Sequence, residues 1–225
     1  QFEELNIVEL NKISKFIKPS NFKSILNNKI KEGKLISEIE IYFSNEGEFN
    51  DYIIRGEVKG LTANLFSNLN LLKTNFNFFA DKEDILIKNI FGSIESIKIS
   101  DGDVKMNLVN GLKIKSNFNT EINLDEKILN KYSNILSRYH LVDYIKILNG
   151  NFRNSFFIDL DDTYRLDDFN YSLSGKLEKS KIQLPKSFKN NFISEEIKNI
   201  YVKDTKLMSS LSPENFKLNG EGKYS

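Results

Sequence analysis

Glu38-Ile39-Glu40-Ile41-Tyr42-Phe43 and Tyr52-Ile53-Ile54-Arg55-Gly56-Glu57-Val58-Lys59, with the turn signal Asn45-Glu46-Gly47 between them, decide the fold class. In the first stretch Ile39, Ile41 and Phe43 alternate with Glu38, Glu40 and Tyr42; in the second Tyr52, Ile54 and Val58 alternate with Arg55, Glu57 and Lys59. A period of two sends successive side chains to opposite faces of a strand, so each stretch reads as a strand with one dry face and one wet face. A tight turn between two such runs makes them antiparallel neighbours.

The same reading extends in both directions. Leu72, Phe76 and Phe78 continue it, then Ile85 to Ile87, Ile97 and Ile99, and Val104, Met106 and Leu108. Leu112, Ile114, Phe118 and Ile122 follow, set against Lys113, Lys115, Asn117 and Glu121, with turn signals at Asp101-Gly102 and Asn110-Gly111. Strands resume with Phe152, Phe156, Ile158 and Leu160, then Phe169, Tyr171, Leu173 and Leu177, then Ile200 and Val202, and last Phe216, Leu218 and Tyr224. A glycine followed by alternating charged and apolar residues recurs at Gly56, Gly102, Gly175 and Gly220, an echo compatible with an internal repeat or with glycines that merely open strands. The expected class is mainly β with short helices (α+β), built on a long antiparallel sheet.

Helical patterns interrupt the strands. Ser20 after Pro19 is a candidate N-cap for a helix carrying Phe22, Ile25, Leu26 and Ile30 and stopped by Gly33; Leu10, Ile13 and Ile17 share a helical spacing before it. Asp125 is a candidate N-cap for Ile128, Tyr132, Ile135 and Tyr139, and a second short helix with Leu141, Ile145 and Leu148 is expected to end at Asn149-Gly150. A further short helix is expected around Phe188, Phe192 and Ile193, after Pro185. The expected organisation is a helical lead-in over 1–33, a β-meander over 34–124, a helical insertion over 125–150, and a continuing sheet over 151–225 with a short helix near 186–196. These form one continuous body.

Composition narrows the chemistry. The 225 residues carry 32 Lys+Arg against 31 Asp+Glu, a net charge of +1, so no overall field draws the chain to nucleic acid. Lys73, Phe76, Phe78 and Phe79 interleave a base with aromatics, but the acids on the same strands favour a solvated sheet face over a stacking platform. Cys 0 excludes disulfides, thiolate nucleophiles and cysteine metal sites, and leaves the redox compartment open. No apolar run is long enough to span a membrane as a helix, and Gln1 begins no signal-peptide pattern. The chain stops at Tyr224-Ser225 inside an expected strand, which reads as a segment of a longer protein.

Motifs with catalytic chemistry are few. Phe156-Phe157-Ile158-Asp159-Leu160-Asp161-Asp162-Thr163 resembles the first motif of the haloacid dehalogenase phosphotransferases, in which the first Asp is the nucleophile and the second a general acid/base, assisted by magnesium. The βαβ alternation of that fold does not follow it, and as a plain strand Phe156, Ile158 and Leu160 face inward while Asp159 and Asp161 face water. The single histidine, His140, has no second ligand or nucleophile beside it and reads as a packed or capping residue. Glu195-Glu196 and Asp167-Asp168 are sequence neighbours whose side chains diverge, and Gly220-Glu221-Gly222-Lys223 lacks the spacing of a phosphate loop. No catalytic residue, metal or cofactor is expected.

A long amphipathic sheet must cover its dry face with helices, a second sheet or a ligand. The expected helices are few, so two readings stand beside the phosphatase: a concave apolar surface suited to acyl chains, and a sheet closed on itself as a β-sandwich serving a structural or interaction role. On alternation, the side chains expected to line an apolar groove are Ile39, Ile41, Ile54, Val58, Phe76, Phe78, Val104, Met106, Leu112, Ile114, Phe118, Phe156, Ile158, Tyr171 and Leu173.

The order of elements resembles the AsmA-like family, especially its large members of the YhdP and TamB type. The resemblance is carried by Ile30-Lys31-Glu32-Gly33-Lys34 at a helix end, Ile39-Glu40-Ile41-Tyr42-Phe43, Ile54-Arg55-Gly56-Glu57-Val58-Lys59-Gly60, Phe78 ahead of Ile85-Leu86-Ile87, and Gly102-Asp103-Val104. Phe169-Asn170-Tyr171-Ser172-Leu173-Ser174-Gly175-Lys176-Leu177 and Ile200-Tyr201-Val202-Lys203 have the same character, so it covers about residues 20 to 225. It implies a strongly curved sheet whose groove carries phospholipid or another acyl lipid toward the outer membrane. It further implies a periplasmic location, an inner-membrane anchor outside these residues, and partners among envelope proteins and further segments of the same chain. It implies neither an enzyme nor a nucleic-acid partner.

Overall fold

Strands joined by turns too short for a crossover can pair only with their sequence neighbours, in antiparallel fashion. The computed structural model, which describes residues 4–9, 28–65, 69–130, 144–189 and 195–224, follows that rule at every short connection, and the two long connections, before Ile30 and before Ile145, also join antiparallel neighbours. It is a single 11-stranded sheet whose spatial order equals its sequence order. The strands are β1 (Leu5–Asn6), β2 (Ile30–Phe43), β3 (Phe49–Asn64), β4 (Asn70–Ala80), β5 (Asp84–Ile94), β6 (Ile97–Asn107), β7 (Leu112–Asp125), β8 (Ile145–Leu160), β9 (Leu166–Phe188), β10 (Ile197–Leu211) and β11 (Phe216–Tyr224). Each packs on its sheet neighbours, and among the described residues no second β-layer lies against the sheet and its edges do not close into a barrel.

Several boundaries differ from the sequence expectation. Ile30 and Gly33 belong to β2, preceded by β1 and a 3-10 turn, Ile7–Glu9; Leu10, Ile13, Ile17, Ser20, Phe22, Ile25 and Leu26 lie outside the described residues. Gly33 is no helix stop: its φ of +149° and the side chain of Ile7 packed against it suit a strand position where a Cβ has no room. Asp125 does cap a helix, α1 (Glu126–Leu129), its carboxylate accepting from Ile128 N. The helical insertion does not reach 150, because Ile145, Leu148, Asn149 and Gly150 are already in β8, Ile145 paired with β9 and the other three with both β7 and β9; Tyr132, Ile135, Tyr139, His140 and Leu141 lie outside the described residues. Three-residue apolar spacing there is shared by a strand fully paired on both sides, and pairing wins.

Of the short helix expected near 186–196, the part up to Phe188 is strand. β9 runs through Pro185 to Phe188, and Pro185 falls where the β9–β10 register shifts, a place that demands no ladder N–H of it. Phe192 and Ile193 lie outside the described residues. Asp101-Gly102 is not a turn either; it sits inside β6, and the reversal before that strand is made by Glu95, at φ +51°. Asn110 and Gly111, both at positive φ, and Ser44 to Glu48 do form the turns their residues announce. The four recurring glycines open no strands: each lies within one, in β3, β6, β9 and β11.

Candidate apolar binding face

Directly paired residues of antiparallel strands share a sheet face, so the register assigns the faces without ambiguity. One row runs Ile39, Ile54, Ala80, Ile85, Met106, Ile114, Ile158, Phe169 across β2 to β9. The next runs Ser37, Gly56, Phe78, Ile87, Val104, Ser116, Phe156, Tyr171, Leu211. Val58 pairs with Phe76 and with Leu35, Phe118 with Gly102 and Asn154, Asn154 with Leu173, Ile41 with Tyr52, and Leu112 with Leu160. Every side chain expected to line a groove therefore falls on one face. Of these, Val58 and Val104 are buried, Ile39 and Ile41 are exposed at 45 % and 54 %, and the others are half-buried.

Burial follows position along the strands. At one end Ile7 packs on Val58, Leu35 and Leu61, and Leu129 of α1 packs with Leu69 and Leu124 beside Ile94, Ile97, Ile122 and Leu148. At the other end Ile39, Ile41, Phe43 and Phe49 stand exposed. Between them Ile90, Ile99 and Val104 form a third cluster with Phe76, Met106, Ile114 and Phe118. Glycine lets aromatic rings pack closely at three places on the face. Phe78 lies against Gly56, Phe118 against Gly102 and Phe152 against Gly175, each pair directly opposite in register, and a Cβ on any of these glycines would collide with the ring.

Alternation in the sequence does not disclose the polar residues on this face. Thr74, Ser116, Ser180 and Thr205 are buried within it, and Ser116 Oγ has no hydrogen-bond partner among the described residues. A chain of hydrogen bonds crosses it as well: the Tyr171 hydroxyl donates to Asn154 Oδ1 at 2.8 Å, and Asn154 Nδ2 donates to Thr120 Oγ1 at 2.9 Å. Burial pushes the Tyr171 phenol above its ordinary pKa. Leu177, Phe152, Ile99 and Leu124 are also buried there; strict continuation of the period reaches Leu177, Phe152 and Leu124, whereas Ile99 joins this face only through the bulge between Ile99 and Asp101.

The opposite face carries the ion pairs, beside the half-buried Ile53, Phe79, Leu86 and Phe157. Arg55 bridges Glu38 and Glu40, Lys98 pairs with Glu121, Lys105 with Asp84 and Lys176 with Asp204. The two carboxylates of the phosphatase-like motif have structural partners. Asp159 on β8 is bound to Lys113 directly across on β7 at 3.1 Å. Asp161 closes the β8–β9 turn, its Oδ1 accepting from the amides of Thr163 and Arg165 and from the Thr163 hydroxyl. The Thr163 hydroxyl and the Arg165 amide hold the Asp161 carboxyl below the usual range. Among the described residues no group of acidic or histidine side chains could hold a metal ion, and no helix is long and apolar enough to cross a membrane.

No family model, curated protein or solved structure matches this chain. The site is therefore defined by its own geometry: an amphipathic open sheet with one continuous apolar face.

Proposed function

We propose that this chain is a segment of a bridge-like lipid-transport protein that shields phospholipid acyl chains along a β-groove between two membranes. The observation that supports it most is the placement of the candidate lining residues on one face of an open sheet, with no second β-layer over that face among the described residues. Each buried methylene contributes about 0.8 kcal/mol, so rows of near-equivalent apolar positions hold a tail out of water without fixing its place. A flat profile of that kind favours sliding. Binding of this sort requires no cofactor and no catalytic step. The curvature of the sheet, the periplasmic location, the inner-membrane anchor and a role in outer-membrane biogenesis belong to the same proposal and come from the AsmA-like resemblance.

Native mass spectrometry with lipid extraction of the purified chain tests it, beside two variants. Phe118→Glu with Ile114→Glu places charge in the dense middle of the face, and Ile39→Glu with Ile41→Glu places it at the exposed end, where folding tolerates it. Phospholipid retained by the wild type and lost from the folded Ile39/Ile41 variant is the expected result. A wild type that holds no lipid and extracts none from phospholipid vesicles overturns the reading.

A further inference from the structure

The hydrogen bonds that cross the apolar face on β7, β8 and β9 all run one way. The Tyr171 hydroxyl donates to Asn154 Oδ1 at 2.8 Å, Asn154 Nδ2 to Thr120 Oγ1 at 2.9 Å, and the Thr120 hydroxyl to the Phe152 carbonyl at 3.3 Å. Asn154 Nδ2 also lies 3.4 Å from the Phe118 carbonyl and 3.5 Å from the Phe152 carbonyl, so a turned amide would set its oxygen against two others. The direction is therefore fixed: Asn154 accepts from Tyr171, and Thr120, whose own hydrogen goes to Phe152, accepts from Asn154.

Every polar hydrogen of the three side chains is spent in this chain, and only lone pairs remain. Tyr171 Oη stands at its head and accepts from no described group. Tyr171, Asn154 and Thr120 are half-buried, so they border the surface of the face and are not sealed beneath it. Their surroundings are apolar. Phe152 is directly opposite Thr120, Phe118 and Leu173 are opposite Asn154, and Phe156 is opposite Tyr171, with the rings of Phe118 and Phe156 stacked at 6.1 Å.

We infer that this spot is a subsite for a hydroxyl carried within an apolar chain, so that the face selects lipids with a hydroxylated acyl tail. The inference rests on the lipid-shielding role proposed above and adds the chemical class of the tail. A bare methylene tail leaves the Tyr171 oxygen dry and unpaired, which costs free energy. Ester and phosphate oxygens bring only further lone pairs. An amide N–H would donate, but it brings a carbonyl for which the spot has no hydrogen left. A hydroxyl donates to Tyr171 Oη and asks for nothing in return, while the chain on either side of it lies on Phe118, Phe152, Phe156 and Leu173.

Equilibrium dialysis of the delipidated chain with stearate, 12-hydroxystearate and 12-methoxystearate, each below its micelle concentration, tests the inference. On a uniformly apolar face the hydroxy chain would bind more weakly than its methyl ether, because its hydrogen would leave water for no partner. The opposite order is expected here: 12-hydroxystearate should bind about tenfold more tightly than 12-methoxystearate, which keeps the oxygen and lacks the hydrogen. Tyr171→Phe with Asn154→Leu removes the two outer acceptors and fills the place of the amide with methyl groups, and in it the order should reverse. If circular dichroism shows that this variant does not fold, the comparison in the wild type decides alone. A wild type that binds the methyl ether as tightly as the hydroxy chain, or a folded double variant that keeps the wild-type order, overturns the inference, and with stearate still bound it leaves the lipid-shielding reading in place. Binding of none of the three chains overturns both.

Discussion

Thr74 lies so close to Gly92 that a methyl group on the glycine would stand 2.2 Å from Thr74 Oγ1 and 2.9 Å from its Cα. The same arrangement occurs at the far end of the sheet, where Thr205 lies against Gly222. In both places the residue before the threonine has a left-handed backbone, Lys73 at φ +46° and Asp204 at φ +50°, and the threonine hydroxyl donates to the carbonyl two residues back, of Leu72 and Lys203. A bulge, a hydroxyl that satisfies its loose carbonyl and a glycine beside it make one local device. Bulges raise the local twist of a strand pair, and further left-handed residues at Gly60 and Asn89 flank the one in β4 on either side.

Gly92→Ala and Gly222→Ala should each destabilise the sheet by about 1–3 kcal/mol, the usual range for overpacking, as read from urea unfolding. Gly47→Ala, in a turn at φ +80° with open space around it, should cost only about 1 kcal/mol from backbone strain. Equal effects at all three sites would show that the close approach of threonine and glycine is not what fixes these strands.

The hydrogen bonds from Tyr171 through Asn154 to Thr120 join β9, β8 and β7 diagonally across the apolar face. Tyr171→Phe should cost about 1 kcal/mol, one net hydrogen bond. Asn154→Leu should cost more, about 1–3 kcal/mol, because it leaves a half-buried hydroxyl unpaired on a face with few alternatives. A double-mutant cycle in chemical denaturation measures the coupling, and a coupling of zero would remove the network from the account.

Burial along a strand predicts opposite responses at two apolar positions. Val104→Ala, at 9 % exposure, should destabilise the fold by about 1.5–3 kcal/mol. Ile41→Thr, at 54 % exposure, should change stability by less than about 0.5 kcal/mol and instead reduce the lipid retained on purification. Thermal unfolding and lipid extraction on the same samples separate the two effects.

Acid should weaken the turns and the ionic face together. The Asp161 carboxyl is held low by the Thr163 hydroxyl and the Arg165 amide, Asp84 by the Asn107 amide and by Lys105, and Asp204 by Lys176. A folded pKa below the unfolded one means that the unfolded chain binds more protons between the two values. The stability these groups contribute is thus complete above the ordinary aspartate pKa of about 4 and is lost as pH falls through their folded values. Tm should be level from neutral pH down to about 5 and decline below about 4, and less steeply in Asp161→Ala. A Tm that rises on acidification in that window contradicts the assignment.

Alternation made most of the sheet legible in advance. Ile39-Glu40-Ile41 and Ile114-Lys115 declare a face because a strand has only two sides, and every residue chosen for the apolar side is there in the structure. Helix was overread at Gly33, Leu148 and Phe188, since short apolar spacings fit either period until a partner strand is present to pair with them. Asp101-Gly102 misled for a related reason: the glycine looks like a turn residue, yet its lack of a Cβ makes room for Phe118 across the ladder.

The sequence by itself determined that this protein is a meander of strands with one dry side, because a two-residue period and short turns leave the backbone no other way to bury that side. Tertiary structure decided what happens on the dry side. Thr74, Ser116 and Thr205 are polar in sequence and buried in the fold, Asn154 is half-buried, and only register could bring Asn154 to Tyr171 or Thr205 to Gly222. Register depends on bulges, each of which shifts every later partner by one place, and a bulge is fixed by contacts between strands far apart in the chain.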